Sequence, residues 1–339
     1  NLNLDMQLAD GIRLSVESYM SARHHNEFWV KGGYIQFDKL PFNSPLFNKL
    51  MDVATIKIGH MEINYGDAHF RRSDGGNTIY NPFMENNIAD AFATEIGGEV
   101  YLQKNGLIGM VGMTNGMIGG NVRKVAYSKA PSIYGKGGFD KQLNEKLRLR
   151  GTASYYHNGN SGRSTLYGGD RTGSNYFLVM EADSATIEGK WGVNTATAAF
   201  ASGRFNPGFS REVDAVMLNG FVKYGGLELF GTYETAKGLN TGETAKRKMN
   251  QIAGDVVYRI GKKENVFVGA RYNTVDARLS GYTEDVTVDR TAFAAGWFLT
   301  RNVLLKGEIV KQNYKGFKTT DIRSGGKFNG YVIEAVVGL

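Results

Sequence analysis

The residues best suited to metal or acid–base chemistry are five histidines: His24, His25, His60, His69 and His157. Zinc is held by four ligands, or by three and a water. His60 and Glu62 fall on one strand face and His69 lies near Asp67, but neither pair has a further ligand at recognisable spacing. His24-His25 reads as an exposed pair in a short connection. The chain has no cysteine, so it offers no thiolate ligand and no disulfide framework. Neither Gly-x-Ser-x-Gly nor His-Glu-x-x-His occurs. The runs Gly135-Lys-Gly-Gly138 and Gly168-Gly-Asp170 lack the strand–loop–helix setting that cradles phosphate. We expect no catalytic group, no metal and no cofactor.

A different chemistry is concentrated at 67–92. Asp67, His69, Arg71, Arg72, Asp74, Tyr80 and Asp90 stand there among Asn77, Asn81, Asn86 and Asn87. Opposed charges held in a narrow place set up a transverse field that sorts solutes without making or breaking bonds. The plainer reading is a solvated surface loop.

The elements that would position this loop are strands. Period-two alternation dominates the 339 residues. In 303–314, Val303, Leu305 and Ile309 alternate with Lys306, Glu308 and Gln312. In 147–156, Leu147, Leu149, Ala153 and Tyr155 alternate with Arg148, Arg150, Thr152 and Ser154. The same pattern recurs in 251–260, 266–273 and 289–299. It predicts strands at 2–9, 12–23, 27–39, 54–66, 93–103, 107–116, 131–141, 147–157, 213–224, 227–237, 247–260, 266–279, 287–299, 303–315 and 328–339.

The connections alternate too. Tight turns such as Asp10-Gly11, Asn105-Gly106 and Gly225-Gly226 suit positive φ. Between them come long polar loops at 67–92, 117–130, 158–212, 238–246, 280–286 and 316–327. The connection 40–53 is the exception, being long on the tight-turn rim. Short turns on one rim and long loops on the other describe an all-β, transmembrane antiparallel β-barrel, one domain over 1–339. Mean hydropathy is −0.32, and no run approaches the roughly 18 apolar residues of a membrane helix. A barrel needs none, because its backbone is paired between strands.

Fifteen visible strands conflict with the even number of single-chain barrels and their two termini on one side. We therefore expect about sixteen, with one strand preceding Asn1. A hidden strand at 175–182 or 194–202 is the rival explanation.

Lys or Arg on the lipid face costs about 2–4 kcal/mol at mid-bilayer, so the apolar set must face out. The inward set is then Arg13, Glu17, Glu99, Lys136, Asp140, Arg148, Arg150, Lys223, Glu228, Glu234, Asp255, Arg259, Arg271, Arg290, Lys306, Glu308 and Glu334. Such a lumen should be wet; alternatively the charges pair across strands and only stabilise the wall. Tyr155, Tyr224, Tyr258 and Trp297 suit interfacial girdles. Net charge is +7, but the basic residues are scattered among nearly as many acids, so nucleic acid is not expected as a partner.

The terminal strand Tyr331-Val-Ile-Glu-Ala-Val-Val-Gly-Leu339 resembles the last strand of outer-membrane barrels, which the barrel-assembly machinery reads at its final residue. Leu339 stands where Phe is more usual. In length and loop pattern the whole chain resembles general porins. The segment His60-Met-Glu-Ile-Asn-Tyr-Gly-Asp-Ala-His-Phe-Arg-Arg-Ser-Asp-Gly-Gly76, with Ile79-Tyr-Asn-Pro-Phe83, resembles porin-like barrels of Bacteroidetes.

The resemblance implies a Gram-negative outer-membrane location. It implies contact with membrane lipid and lipopolysaccharide, and a homotrimer or larger complex. It implies passive diffusion of small hydrophilic solutes, with 67–92 folded inward as the constriction. The loop 158–212 is a long extracellular loop or a lid, in which Arg163, Arg171, Lys190 and Arg204 would matter. Arg71, Arg72 and the net charge suggest a weak anion preference. The rival is a non-conducting barrel plugged by 158–212, its Phe200, Phe205 and Phe209 serving a partner.

Overall fold

In the computed structural model, residues 2–21, 27–42, 44–67, 77–117, 128–161, 163–168, 186–187, 190–191 and 203–338 are described. Fifteen strands form one antiparallel sheet. They are β1 (Leu2–Ala9), β2 (Ile12–Ser21), β3 (Glu27–Phe37), β4 (Ala54–Glu62), β5 (Thr94–Lys104), β6 (Leu107–Thr114), β7 (Ser132–Gln142), β8 (Leu147–Asn158), β11 (Glu212–Tyr224), β12 (Leu227–Leu239), β13 (Arg247–Ile260), β14 (Val266–Ala277), β15 (Val286–Thr300), β16 (Val303–Lys315) and β17 (Lys327–Val337). A detached two-residue hairpin, β9 (Thr186–Ile187) with β10 (Lys190–Trp191), falls between β8 and β11.

Each of the fifteen strands read from the alternation is present, and each pairs with its neighbours in the sequence order of the sheet. Among the described residues β1 and β17 are not hydrogen-bonded to each other. The alternative strand segments 175–182 and 194–202 lie outside the described residues.

The tight turns are where the sequence places them. Asn105 and Gly106 both take positive φ, 52° and 80°, as a two-residue hairpin turn requires. The connection 40–53 carries an unexpected helix, α1 (Pro45–Met51). Seven residues are too few to display a 3.6-residue period; Pro45 in its first turn was the only local sign.

The sheet separates two faces strand by strand. On β13 Ile252, Val256, Tyr258 and Ile260 are exposed, while Gln251, Ala253, Asp255 and Val257 are buried. On β15 Phe293, Trp297 and Leu299 are exposed against buried Arg290, Ala292 and Ala294. The exposed apolar band begins at Tyr224, Tyr258 and Trp297 near the tight-turn rim. It ends at Tyr155, Tyr233, Tyr272 and Tyr331 towards the long-loop rim. Rings thus border the band on both sides, as amphipathic aromatics do at membrane interfaces.

A lysine at Val256, exposed between the two borders of that band, is expected to destabilise the folded sheet by about 2–4 kcal/mol. Urea unfolding in phospholipid vesicles measures it, with Lys311→Ala, above the band, expected to change little. An unchanged midpoint for Val256→Lys would show that this face does not meet lipid.

Candidate functional site

β4 ends at Glu62, and the described stretches that follow, 63–67 and 77–93, lie in the interior with little regular structure, one 3-10 turn at Asn77–Tyr80 apart. Residues 81–86 and 88–93 of this interior loop are all buried. Buried backbone outside helix or sheet must find its hydrogen bonds elsewhere. Here the inward side chains of the wall supply them.

On the donor side, Asn64 N–H bonds Glu99 (2.9 Å), Asp67 N–H bonds Asn219 (2.9 Å), Met84 N–H bonds Glu308 (2.8 Å) and Ala89 N–H bonds Gln251 (3.0 Å). On the acceptor side, Lys136 donates to Gly66 O (2.7 Å), Arg271 to Glu85 O (2.7 Å) and Arg290 to Asn86 O (3.1 Å). Lys306 donates to the carbonyls of Thr78, Asn81 and Phe83 at 3.2–3.3 Å. These partners stand on β5, β7, β11, β13, β14, β15 and β16. A single loop reaches all of them only because the sheet is rolled around it.

Two apolar seats complete the docking. Ile79 and Phe83 pack against Val257, Phe267, Ala294 and Leu304, with the Arg271 guanidinium 4.2 Å above the Phe83 ring. Ile63, Tyr65 and Ile88 join a second cluster with Tyr134, Tyr156 and Met217. Three carboxylates there are held by phenols. Tyr156 donates to Glu95 (2.9 Å), Tyr134 to Glu99 (2.9 Å), and Tyr65 and Tyr167 to Glu234 (3.1 and 2.7 Å).

The loop 158–212 also returns inward, at 163–168 and 203–211. Phe92 N–H bonds Leu166 O and Phe205 N–H bonds Ile88 O, each at 2.7 Å. Arg204 donates to the carbonyls of Asp90, Tyr167 and Gly168. Leu166, Tyr167, Phe205 and Phe209 are buried beside the interior loop.

The structure brings Asp67, Lys136 and Arg150 together. Asp67 lies 3.2 Å from Lys136 and 2.6 Å from Arg150, which also reaches Asp140 (2.9 Å). Burial alone would raise the Asp67 pKa. The Arg150 hydrogen bonds and the Lys136 and Arg150 charges outweigh it and hold the carboxyl at about 2. Asp90 is buried and accepts from Asn86 (3.3 Å). Tyr80 is exposed beside a hollow of about 890 Å3 at the tight-turn rim, with Lys223, Arg259 and Arg301. His69, Arg71, Arg72, Asp74, Arg171 and Phe200 lie outside the described residues, as does the side chain of Lys190; Arg163 is exposed.

Among the wall residues, Arg148 pairs with Asp140, Arg259 with Glu228, Arg271 with Asp255 and Lys306 with Glu334. Arg290 bonds Gln312. Arg271, Arg290, Lys306 and Glu308 are 2–5 % exposed, so this part of the wall is dry, not wet as its charges suggest. Arg13 and Glu17 instead line a cavity of about 440 Å3 beside β1–β5, with Lys31, Lys57, His60 and Glu62. The described parts of the interior loop therefore bond to β5, β7 and β11–β16, and the cavity lies beside them along β1–β5.

Sequence reasoning missed the inward apolar seats and the tyrosine–carboxylate pairs. Ile79, Phe83, Ile88 and Phe92, apolar residues within a polar loop, were the available signal.

This architecture, an antiparallel sheet with an apolar outer belt rolled around an inward loop, is that of outer-membrane β-barrel porins. Among solved structures, an anion-selective porin from Comamonas acidovorans is similar over 99 % of this chain and 83 % of its own, with TM-score 0.55 and 11 % identity. OmpT, an outer membrane protein of Vibrio cholerae, is similar over 99 % and 88 %, with TM-score 0.54 and 10 % identity. OccAB4 of Acinetobacter baumannii is similar over 99 % and 73 %, with TM-score 0.51 and 9 % identity. No family model and no curated protein matches the chain.

Glu85 gives the docked loop a pH dependence. Burial pushes its carboxyl up to about 8, reinforced by Glu308, Asp90 and Glu334 and opposed by Arg290. A raised pKa contributes stability that is complete below the unfolded carboxylate value and lost as pH rises through about 8. Hydrogen–deuterium exchange over 81–93, corrected for intrinsic rate, is expected to accelerate as pH rises from about 4.5 to about 8 in the native chain, to level off above that, and not to do so in Glu85→Gln. The Asp67 anchor runs the other way and is lost only as pH falls through about 2. Identical exchange profiles for the native chain and Glu85→Gln would refute this.

Proposed function

We propose that the chain is a porin of the Gram-negative outer membrane, passing small hydrophilic solutes by passive diffusion. The observation that carries this is the asymmetric interior. The described parts of the interior loop, 63–67 and 77–93, are bonded to β5, β7 and β11–β16, and a charged cavity of about 440 Å3 stays open along β1–β5. Flux needs no cofactor and no bond chemistry. In this reading the constriction is the loop 67–92, with Asp67, Tyr80 and Asp90 among its residues. Assembly as a homotrimer belongs to the same proposal, as does contact with lipopolysaccharide and with the barrel-assembly machinery. The narrower kinship with Bacteroidetes barrels rests on the residues at 60–83 alone.

A weak anion preference is part of the reading. It rests on the net charge of +7 and on Arg71 and Arg72. The cavity wall carries both signs, Arg13, Lys31 and Lys57 against Asp5, Glu17, Glu62 and Glu99, so it does not itself favour anions.

The second reading, a non-conducting barrel, is favoured by the inward return of 163–168 and 203–211, which thickens the filling beside the interior loop. Single-channel recording in a planar bilayer separates the two. The porin is expected to show steady, salt-proportional conductance, larger in Asp67→Ala, where the loop loses its ion pairs with Lys136 and Arg150. Under a salt gradient the reversal potential should indicate anions, and Arg71→Ala with Arg72→Ala should remove that bias. A folded barrel that conducts nothing would establish the second reading instead.

A further inference from the structure

The outward face of the sheet changes character above its upper aromatic border. On β12 the exposed series runs Leu229, Tyr233, then half-buried Thr235 and exposed Lys237. On β13 it runs Val256, Ile252, then Asn250 and Lys248. Lys237 and Lys248 are direct register partners, as are Thr235 and Asn250 beneath them. Thr235 Oγ1 donates to Asn250 Oδ1 at 2.9 Å.

Two like charges placed directly opposite on neighbouring strands repel each other. The obvious remedy is an acid alongside. Asp214 on β11 is the register partner of Lys237. Its carboxylate, however, is engaged by His157 (2.6 Å) and Lys246 (2.8 Å), and Lys246 is shared with Glu212 (2.5 Å). On the other side, Arg278 follows Lys248 through a backbone hydrogen bond (3.0 Å), so the neighbour there is a third cation, paired with Asp285 (2.8 Å). Among the described residues neither Lys237 nor Lys248 has an ion-pair partner. Both are exposed.

We propose that Lys237 and Lys248 bind a phosphorylated head group of an outer-leaflet glycolipid. Register partners on adjacent antiparallel strands lie about 5 Å apart at Cβ, close enough for one phosphate to accept hydrogen bonds from both ammonium groups. Thr235 and Asn250 lie just below, where sugar hydroxyls would meet them. Tyr233, Ile252 and Tyr272 continue downward as the apolar surface for the acyl chains. A free anion would use only the lysines. A lipid uses the lysines and the belt together, and that continuity selects the lipid. The site depends on the barrel standing in an outer leaflet, not on whether its interior conducts.

The test is native mass spectrometry of the detergent-folded full chain titrated with bis-phosphorylated lipid A. Folding of each variant is checked by heat-dependent electrophoretic mobility, and conductance is recorded in parallel. The native chain should retain one lipid A. Lys237→Gln with Lys248→Gln should weaken retention about tenfold, the loss expected on removing charge-assisted hydrogen bonds. Lys104→Gln with Lys262→Gln, charges near the opposite rim, should leave it unchanged. Retention unchanged by the Lys237/Lys248 pair overturns the proposal, as does equal retention of fully dephosphorylated lipid A. Displacement of lipid A by equimolar inorganic phosphate would overturn it in favour of a free-anion site.

Discussion

Backbone amides cannot be taken from water unless something replaces the water's hydrogen bonds. The described stretches 63–67 and 77–93 lie inside this sheet with little regular structure, and the buried amides that they bring must be matched. Regular structure does not match them. Glu99, Lys136, Asn219, Gln251, Arg271, Arg290, Lys306 and Glu308 do, from seven strands whose own backbones are already paired to one another. The same constraint explains why long polar side chains stand at positions where a soluble sandwich would place aliphatic ones. It also explains why the loop's apolar residues meet an apolar patch on the wall, since Phe83 needs Val257, Phe267 and Leu304 as much as its amide neighbours need Glu308.

The inner face therefore serves two purposes in different sectors. Along β11–β16 it is a socket, dry and closely bonded. Along β1–β5 it lines a cavity with Arg13, Glu17, Lys31 and Lys57. The outer face is uniform by comparison, an apolar band with aromatic borders. Alternation along each strand keeps the two faces independent, so a socket residue and a lipid-facing residue sit side by side, as Asp255 and Val256 do.

The strands were legible because their rule is local. Period two is written in each segment, and a tight turn such as Asn105-Gly106 declares itself in two residues. The inward and outward sets followed from the cost of charge in lipid. The early loop was legible as a dense polar segment, and Asp67 indeed lies with Lys136 and Arg150. What the loop touches was not legible, because its partners lie far along the chain: Met84 meets Glu308 across 224 positions. A charge on an inward face looks the same in sequence whether water or a carbonyl surrounds it. That is why the sequence leaves Arg271 and Lys306 open to a wet lumen or to pairing across strands, and in the structure both are buried and paired with Asp255 and Glu334. Short α1 escaped because seven residues barely make two turns.

The span of those contacts bears on how the molecule is built. Each strand of the sheet bonds only to strands adjacent in the sheet's own sequence order, so the wall can grow hairpin by hairpin with small loops to close. The interior segment obeys a different schedule. It is made early, yet its bonds to β13–β16 have no counterpart until the last quarter of the chain exists. It must wait, partly unsatisfied, for a wall that is not yet there, and its seating marks the moment the wall is complete. A chain stalled before β16 would lack the Lys306 and Glu308 contacts and leave this segment loose, so assembly carries its own internal check on completion.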